Sequence, residues 1–588
     1  KYGGSSNNYY EGDDGEWIME GDYDGDWGGQ FRGEGLPRFW KAGASYGNKW
    51  LNDSLSFNGN YGYNKGITEA LSNSRTQYLL PESQYIAENS SSSTSISEKH
   101  NININSQYEI DTSSNIRITM NGKYGIDESE TRSNSASLGM DGTPINSSNA
   151  LRNTRSESKE FGGTATYRKR FRKAGRSFSA NLTAKWSERD GDGFLNSDYT
   201  IFATNEITRI NQRKDNSYNS LTGRLRLSYT EPISKVVNLE VNYGIGLNNN
   251  ESDNSSFDRT PDGNGFTDAF NPLFSSHYLF DNMQNRGGAN LRFKFKKLNF
   301  AFGGSMVDSR FTQEDKLFDT AYTYAYQNFL PSASFSFQRK QSSSISLRYN
   351  AKVQAPQIIA LQPLRNNNDP LNITIGNPTL KQSYIHNMTL SYNSYQVMSS
   401  TNLWIYAYMD LIQNDITQIQ YIDESARRTT QFVNVNGNYR GNVNIHYGRK
   451  ILGISTNLSG YGNFAHTNNF INGVPNVNNN FSMSPGVDLS YYKDTSYNIN
   501  YRFNPSYNRN ISSINALGNT SYWNFNQTMS GRLEFPYRIT LGTDISWDIR
   551  QRLDPQDKNN SVFRWNAYVS KAFLKDRSLV AKIYANDI

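Results

Sequence analysis

The stretch LTGRLRLSY, residues 221–229, sets Leu221, Gly223, Leu225, Leu227 and Tyr229 on one side of an extended chain and Thr222, Arg224, Arg226 and Ser228 on the other. A period of two with one apolar and one wet side is the mark of a half-buried β-strand. After the short link TEPISK (230–235), VNLEVNYGI at 237–245 repeats the pattern. Val237, Leu239, Val241, Tyr243 and Ile245 stand against Asn238, Glu240, Asn242 and Gly244. The two runs read as an antiparallel hairpin.

The same alternation recurs along the chain. Ile116, Ile118 and Met120 oppose Arg117, Thr119 and Asn121, and Phe178, Ala180, Leu182, Ala184 and Trp186 oppose Ser179, Asn181, Thr183 and Lys185. Leu291, Phe293 and Phe295 oppose Arg292, Lys294 and Lys296. Near the end, Ile539, Leu541, Thr543, Ile545, Trp547 and Ile549 oppose Thr540, Gly542, Asp544, Ser546, Asp548 and Arg550. No long amphipathic helix interrupts the series.

The connections alternate as well. Short links fall near 111–114, 230–235, 340–343, 449–450, 493–495, 536–538 and 574–577. Long polar stretches lie between them, near 64–99, 127–160, 188–217, 247–285, 304–331, 352–383, 464–480 and 550–561. Short turns at one rim and long loops at the other belong to a transmembrane β-barrel. In a compact soluble domain so many structureless connections beyond about 15 residues count against the assignment. Tyr and Trp gather at strand ends (Tyr46, Trp50, Tyr491, Tyr492, Tyr522, Trp523, Trp547, Trp565), where a membrane interface places them.

Composition agrees. Only 36% of the residues are hydrophobic, low for several packed soluble cores, yet 39 Tyr, 31 Phe and 9 Trp exclude a disordered chain. The net charge of +6 is too small to point to a polyanion partner, and no nucleic-acid motif is present. Without cysteine, disulfides and thiolate metal sites are excluded. No apolar run approaches the ~20 residues of a spanning helix. The fold expected is all-β: a large closed antiparallel transmembrane β-barrel of roughly 22 strands, at about 27 residues per strand and loop. Residues 1–39 form an acidic, glycine-rich N-terminal segment and 40–588 the barrel, which the parity of its hairpins predicts to be incomplete at both ends.

The segment PQIIALQPLRNNNDPLNITIGNPTLKQSY (356–384), with the strand IHNMTLSYNSYQ after it, resembles the barrels of Bacteroidota TonB-dependent receptor-like outer-membrane proteins. There a loop ends in Asn-Pro-x-Leu-Lys before a strand, matched here by Asn377, Pro378, Leu380 and Lys381, while Gln382 stands where that family often has Pro. NFLPSASFSF (328–337), AGASYGNKWLNDSLSFNGNYGYNK early in the chain and SLVAKIYANDI late in it carry the same resemblance. It implies an outer-membrane location in a Gram-negative bacterium, long loops outside, and TonB-dependent uptake of a nutrient through a barrel that holds a plug. It also implies outer-membrane lipids and the TonB complex as partners. The alternative reading is a barrel scaffold or partner subunit of a larger outer-membrane assembly, working with surface lipoproteins or in protein export or insertion. Affinity purification in mild detergent separates the two, and stable solubility without detergent would favour a soluble all-β binder over both.

Two acidic stretches have calcium-loop spacing. ERDGDGFLNSDY places Glu188, Asp190, Asp192, Asn196 and Asp198 at ligand positions, and TPDGNGFTD offers Asp262, Asn264 and Asp268. Both lack a Glu at position 12 and flanking helices, so structural calcium stiffening a surface loop is set against plain glycine-rich turns. EGDYDGDWGG (Asp22, Asp24, Asp26) is a weaker relative. No catalytic residues are expected. The five histidines show no metal-protease spacing, and no nucleophile elbow or phosphate loop occurs. Arg224, Arg226, Arg292, Lys294, Arg348, Arg502 and Arg532 are expected on the inner face, compensated by Glu109, Glu240, Glu534 and Asp544.

Overall fold

The computed structural model describes residues 9–11, 17–19, 35–79, 84–361, 365–366, 372–493, 496–514, 518–553, 561–573 and 579–585. Most of the N-terminal segment, including Asp22, Asp24 and Asp26, lies outside the described residues. Strands β1 (Tyr9–Glu11) and β2 (Trp17–Met19) pair only with each other. The main sheet begins with β3 (Leu36–Trp50), β4 (Leu55–Leu79), β5 (Gln84–Asp111), β6 (Ser114–Gly139), β7 (Pro144–Arg170) and β8 (Ser177–Ile201). It continues through β9 (Glu206–Pro232), β10 (Val237–Asp258), β11 (Ser276–Lys294), β12 (Leu298–Asp315), β13 (Thr320–Lys340) and β14 (Ser343–Gln354). A first insert holds helix α1 (Ile358–Leu361), β15 (Arg365–Asn366) and β16 (Asn372–Ile375), and leads to β17 (Ser383–Gln396) and β18 (Thr401–Gln413). A second insert holds β19 (Asp415–Ile422) and β20 (Arg428–Val435). The sheet ends with β21 (Asn438–Ile451), β22 (Ile454–Ile471), β23 (Val474–Lys493), β24 (Tyr497–Ser512), β25 (Thr520–Phe535), β26 (Ile539–Arg550), β27 (Ser561–Phe573) and β28 (Leu579–Ala585).

Setting aside β1, β2 and the four inserted strands, 22 strands stand side by side, each antiparallel to its neighbours. The expectation of a fully closed barrel is corrected at one place. The strand order leads from β28 back to β3, but among the described residues paired positions run unbroken only from β3 to β28. Among the described residues no residue-by-residue register joins those two strands. What the pairings establish is a curled antiparallel sheet continuous from β3 to β28.

The expected long loops are also corrected. Most of them are strand. β4 to β9 have 25 to 28 residues each, whereas about 9–11 residues suffice to cross a bilayer at the usual tilt. Hairpins such as β6–β7 therefore stay paired far above the span and turn at 140–143. Polar Ser/Asn/Thr runs look loop-like because neither face is apolar, yet each pair of strands still satisfies the other's backbone groups. Among the described residues, the long-strand rim carries irregular stretches or separate elements within 259–275, 355–382 and 414–437.

Register separates the two faces. Phe161, Leu182, Leu221, Val241 and Phe302 fall on one face, where each is about half exposed, as a lipid-facing surface requires. Tyr46, Trp50 and Phe57 form an aromatic cluster on this face with ring centres 6.2–6.3 Å apart. The opposite face carries ion pairs in which one partner is nearly buried: Arg292 with Glu240, and Arg440 with Asp410 at 3.3 Å. Arg502 takes Asp488, and Arg532 reaches Glu534 at 4.0 Å. Paired charges on the inner face compensate each other, as expected, although Arg502's partner differs from the acids foreseen.

Beyond the lipid-facing segments, the short-turn rim holds a second device. Glu231 accepts from Lys173 at 2.6 Å, from Arg176 at 2.7 and 2.9 Å, and from the Tyr229 hydroxyl at 2.7 Å. The Arg176 bond first, then those from Lys173 and Tyr229, hold its carboxyl down at about 2, against an ordinary 4.5. A depressed carboxyl stabilises the fold fully above its unfolded value and loses that contribution as pH falls through the folded one. Thermal unfolding in detergent should therefore show an acid loss between about pH 4.5 and 2 that is smaller in Glu231→Gln. Identical pH profiles for the two proteins would remove Glu231 from the account.

Candidate functional site: a cap folded into the mouth of the sheet

At the long-strand rim the two inserts fold together. β19 and β20 form a hairpin from Asp415↔Val435 to Ile422↔Arg428. Its turn is set by Asp423, whose carboxylate accepts the N–H groups of Ser425 (3.0 Å) and Arg427 (2.9 Å) and the Arg427 guanidinium (3.1 Å). β20 runs parallel to β16 of the first insert, and β19 pairs in parallel with the end of β22 at Ile419↔Phe470 and Gln420↔Ile471. A small sheet thus springs from the rim at β22 and meets the wall in two further places.

The first meeting place is apolar. Phe280, Phe311, Ala360, Leu361 and Leu380 form a buried cluster, with Tyr324, Tyr326, Ile416 and Phe432 packed around it. Phe280, Phe311 and Tyr324 belong to β11, β12 and β13, on the face opposite the lipid-facing Phe293, Phe302 and Phe335. They therefore point inward, and the ring of Phe311 stacks on Tyr324 at 4.5 Å. Leu361 and Leu380 are 0% and 1% exposed, and each contributes about 1.5–3 kcal/mol by leaving water.

The Asn-Pro-x-Leu-Lys motif is the clasp of this contact. Asn377 donates its amide to the Phe432 carbonyl at 2.9 Å, while its oxygen accepts from the N–H (2.9 Å) and hydroxyl (2.7 Å) of Thr379. The Tyr324 hydroxyl donates to the Pro378 carbonyl. Leu380 fills the cluster, and the Lys381 backbone exchanges two bonds with the Asn434 side chain, at 2.7 and 3.0 Å. A motif read as a family signature thus joins three parts: the first insert, the hairpin and β13. Gln382, where that family often has Pro, accepts from Asn328 at 3.2 Å.

The second meeting place is polar. The hairpin's far end reaches the inward faces of β4, β5, β7 and β8. Arg428 lies over the Tyr78 ring at 4.9 Å, and Asn146 donates its amide to the Ser425 carbonyl. Tyr85, Asn146 and Tyr199 are 2%, 0% and 5% exposed beneath it. Burial pushes the Tyr85 and Tyr199 phenols up, so both remain protonated and able to donate. Several buried polar atoms near the cap find no protein partner among the described residues: Asn146 Oδ1, Ser197 Oγ, Tyr199 OH, Arg428 Nε and both amide atoms of Gln313. Groups of this kind hold water or a polar solute.

The calcium-loop residues lie elsewhere. Glu188, Asp190, Asp192, Asn196 and Asp198 occupy alternate positions of β8 on its outward face, so the first and last are about 33 Å apart at the strand rise of ~3.3 Å per residue. Ligands to one ion must converge at 2.3–2.6 Å. Instead Glu188 binds Lys159 at 3.0 Å, Asp190 accepts from Ser217 at 2.8 Å, and Asp198 faces Arg209 at 3.6 Å. In the second stretch Asp262 accepts from the Thr260 hydroxyl (2.5 Å) and the Asn264 N–H (3.2 Å), which hold its carboxyl below the ordinary value, while Asp268 is exposed. The side chains of the first stretch therefore do not converge on one ion, and among the described residues no group of three or more His, Asp or Glu does. The two stretches do touch, through Phe194 and Phe266 at 5.6 Å.

The cap residues Ile416 and Phe432 are absent from the sequence-derived candidates, whereas Tyr324 lies in the aromatic stretch YTYAYQNFLP (322–331), read as able to hold a partner or substrate or else as interfacial, and Leu361 in the segment that carries the family resemblance. The signal was present in ITQIQYI and RTTQFVNV around the tight DESAR turn, but such runs look the same whether a strand spans or folds inward.

A sheet of this size, lipid-facing on one side and charge-paired on the other, defines an outer-membrane barrel protein. The chain belongs to the Outer membrane protein beta-barrel family, which matches residues 169–490, more than half of its length. No curated protein matches it. Among solved structures it is similar to the siderophore receptor PirA from Pseudomonas aeruginosa (8% identity, TM-score 0.42, 94% of this chain and 81% of that one). It is also similar to the RagAB peptide importer (10%, 0.44, 92% and 73%) and the transporter YddB from Escherichia coli (11%, 0.43, 94% and 71%). At this level the likeness carries nothing about cargo.

Proposed function

We propose that the protein is the barrel of an outer-membrane receptor that takes up a nutrient in a TonB-dependent manner, with its long-strand rim outside and the cap as the element that cargo must displace. The cap is the observation that carries this reading. A sheet of 22 strands curls around a lumen too wide to be filled by its own side chains, and a mouth that only leaked would need no apolar clasp. Polar atoms left without protein partners near the cap suit a hydrophilic cargo. The resemblance to Bacteroidota receptor-like proteins adds the plug and the energy-coupling complex as expected partners, and makes no enzymatic chemistry part of the reading.

The test is uptake of a growth-limiting nutrient in cells that produce the protein, with and without the energy-coupling complex. Uptake should require both. Accumulation that continues after the coupling complex is removed would sink the energised part of the reading.

A further inference from the structure

The outward face of β21–β24 carries a cavity of about 340 Å³ lined by Tyr439, Phe464, Phe481, Tyr507, Arg509 and Ile511. Beside it, on the short-turn side of Phe464 along β22, come two glycines. Gly462 lies between Val443 and Met483, and Gly460 between Ile445 and Pro485, in the ladders to β21 and β23. β22 therefore offers no side chain there, and nothing lies within 4 Å of where a Gly462 Cβ would sit. Neighbouring strands are about 4.8 Å apart, so the furrow between β21 and β23 is roughly 10 Å from backbone to backbone, wide enough for an acyl chain.

Above the furrow the surface changes character within one step. On β24 the outward series Ile499, Tyr501, Phe503, Pro505 and Tyr507 is followed by Arg509, whose neighbours across the ladders are Phe481 and Ser521. Tyr507 packs on Trp523 at 5.2 Å, and Tyr439 stacks on His466 at 4.8 Å, with His466 Nδ1 paired to Asn479 at 2.8 Å. Aromatic rings mark the interface between acyl chains and headgroups. Among the described residues no carboxylate pairs with Arg509. A guanidinium at that level, on top of an apolar furrow, matches a phosphate in charge and fork geometry.

We propose that this groove holds one phosphate-bearing lipid of the outer leaflet, its acyl chain in the Gly460–Gly462 furrow and its phosphate at Arg509. The leaflet rests on the orientation given above. The site itself lies on the lipid side of the wall, apart from the cap.

Native mass spectrometry of the full chain after exchange into a lipid-free detergent tests it, with lipid A and its fully dephosphorylated form as probes. One lipid A should stay bound, and the dephosphorylated form should not. Arg509→Gln should lower retention about tenfold, equivalent to ~1.4 kcal/mol. Gly462→Leu, which fills the furrow from a position with open space around it, should lower it similarly, while Lys450→Gln at the opposite rim should not. Equal retention by all four proteins, or equal binding of the two lipids, overturns the proposal. Because the readout is lipid and not uptake, either result leaves the transport reading to its own test.

Discussion

Leu380→Ala is expected to raise tryptic cleavage at Arg427 and Arg428 about a hundredfold while the 22-strand sheet stays intact. Both arginines sit at the hairpin's far end, where Arg428 is pinned against Tyr78. Arg427 is exposed, but its backbone is held in the tight turn by Asp423, and a protease site needs an extended segment, which this one becomes only when the hairpin's end lifts. Leu380 is 1% exposed in the cluster with Phe311 and Leu361, and its loss leaves a cavity that the rigid wall cannot refill. Such truncations cost about 2–5 kcal/mol, and ~3 kcal/mol on the closed side alone shifts the open population by roughly two powers of ten. Cleavage follows that population when opening is fast compared with proteolysis. Leu458→Ala, on the lipid-facing side, should leave the rate unchanged. A Leu380→Ala protein that is folded yet cut no faster would show that this cluster does not hold the cap.

The second large effect concerns movement. The chain contains no cysteine, so a pair placed at Asn146→Cys and Ser425→Cys is the only one present. Asn146 contacts Ser425 directly, and a disulfide or short bifunctional maleimide between them ties the hairpin's end to β7. If cargo passes by displacing the cap, joining them should cut uptake by about a hundredfold, because a covalent tie removes the open state from the equilibrium. Reduction of the disulfide should restore it, and neither single variant should show the effect. Full uptake through a protein shown to be cross-linked would mean that the hairpin is a fixed brace.

Much of the sheet was legible because a strand facing lipid on one side and water on the other must alternate with period two. LTGRLRLSY and VNLEVNYGI lie in β9 and β10 with Leu225↔Ile245 and Tyr229↔Val241 on one face, as their pattern implies. The turns near 111–114, 230–235, 340–343 and 536–538 were legible for a related reason, since a short polar break between two alternating runs leaves room only for a tight link. The turn expected at 449–450 lies three residues later, at 452–453, where Leu452 and Gly453 both take positive φ. The runs taken for long loops were misread because a strand pair standing in water needs no apolar face. Its backbone bonds are made regardless of side chain, and composition alone cannot distinguish it from a loop.

The candidate site divides in the same way. Asn377, Pro378, Leu380 and Lys381 were singled out in the sequence, but their work was not. Only the structure puts Leu380 beside Phe280 and Phe311, residues 69 to 100 positions away on other strands. The acidic spacing of ERDGDGFLNSDY went the other way: it matched a loop template in sequence and became an extended face of β8 in space, where ten residues cannot close on one ion.

By itself the sequence determined that this chain makes a large antiparallel membrane sheet of about 22 strands, because alternation, strand length and interfacial aromatics are local properties that any one strand displays. Tertiary structure decided the rest: which strands stand tall above the span, that the ladders among the described residues run unbroken from β3 to β28, and that one hairpin and one loop fold inward as a cap. Those outcomes depend on contacts between residues far apart in the chain, and an alternating run carries the same pattern whether its apolar side meets lipid or another part of the protein.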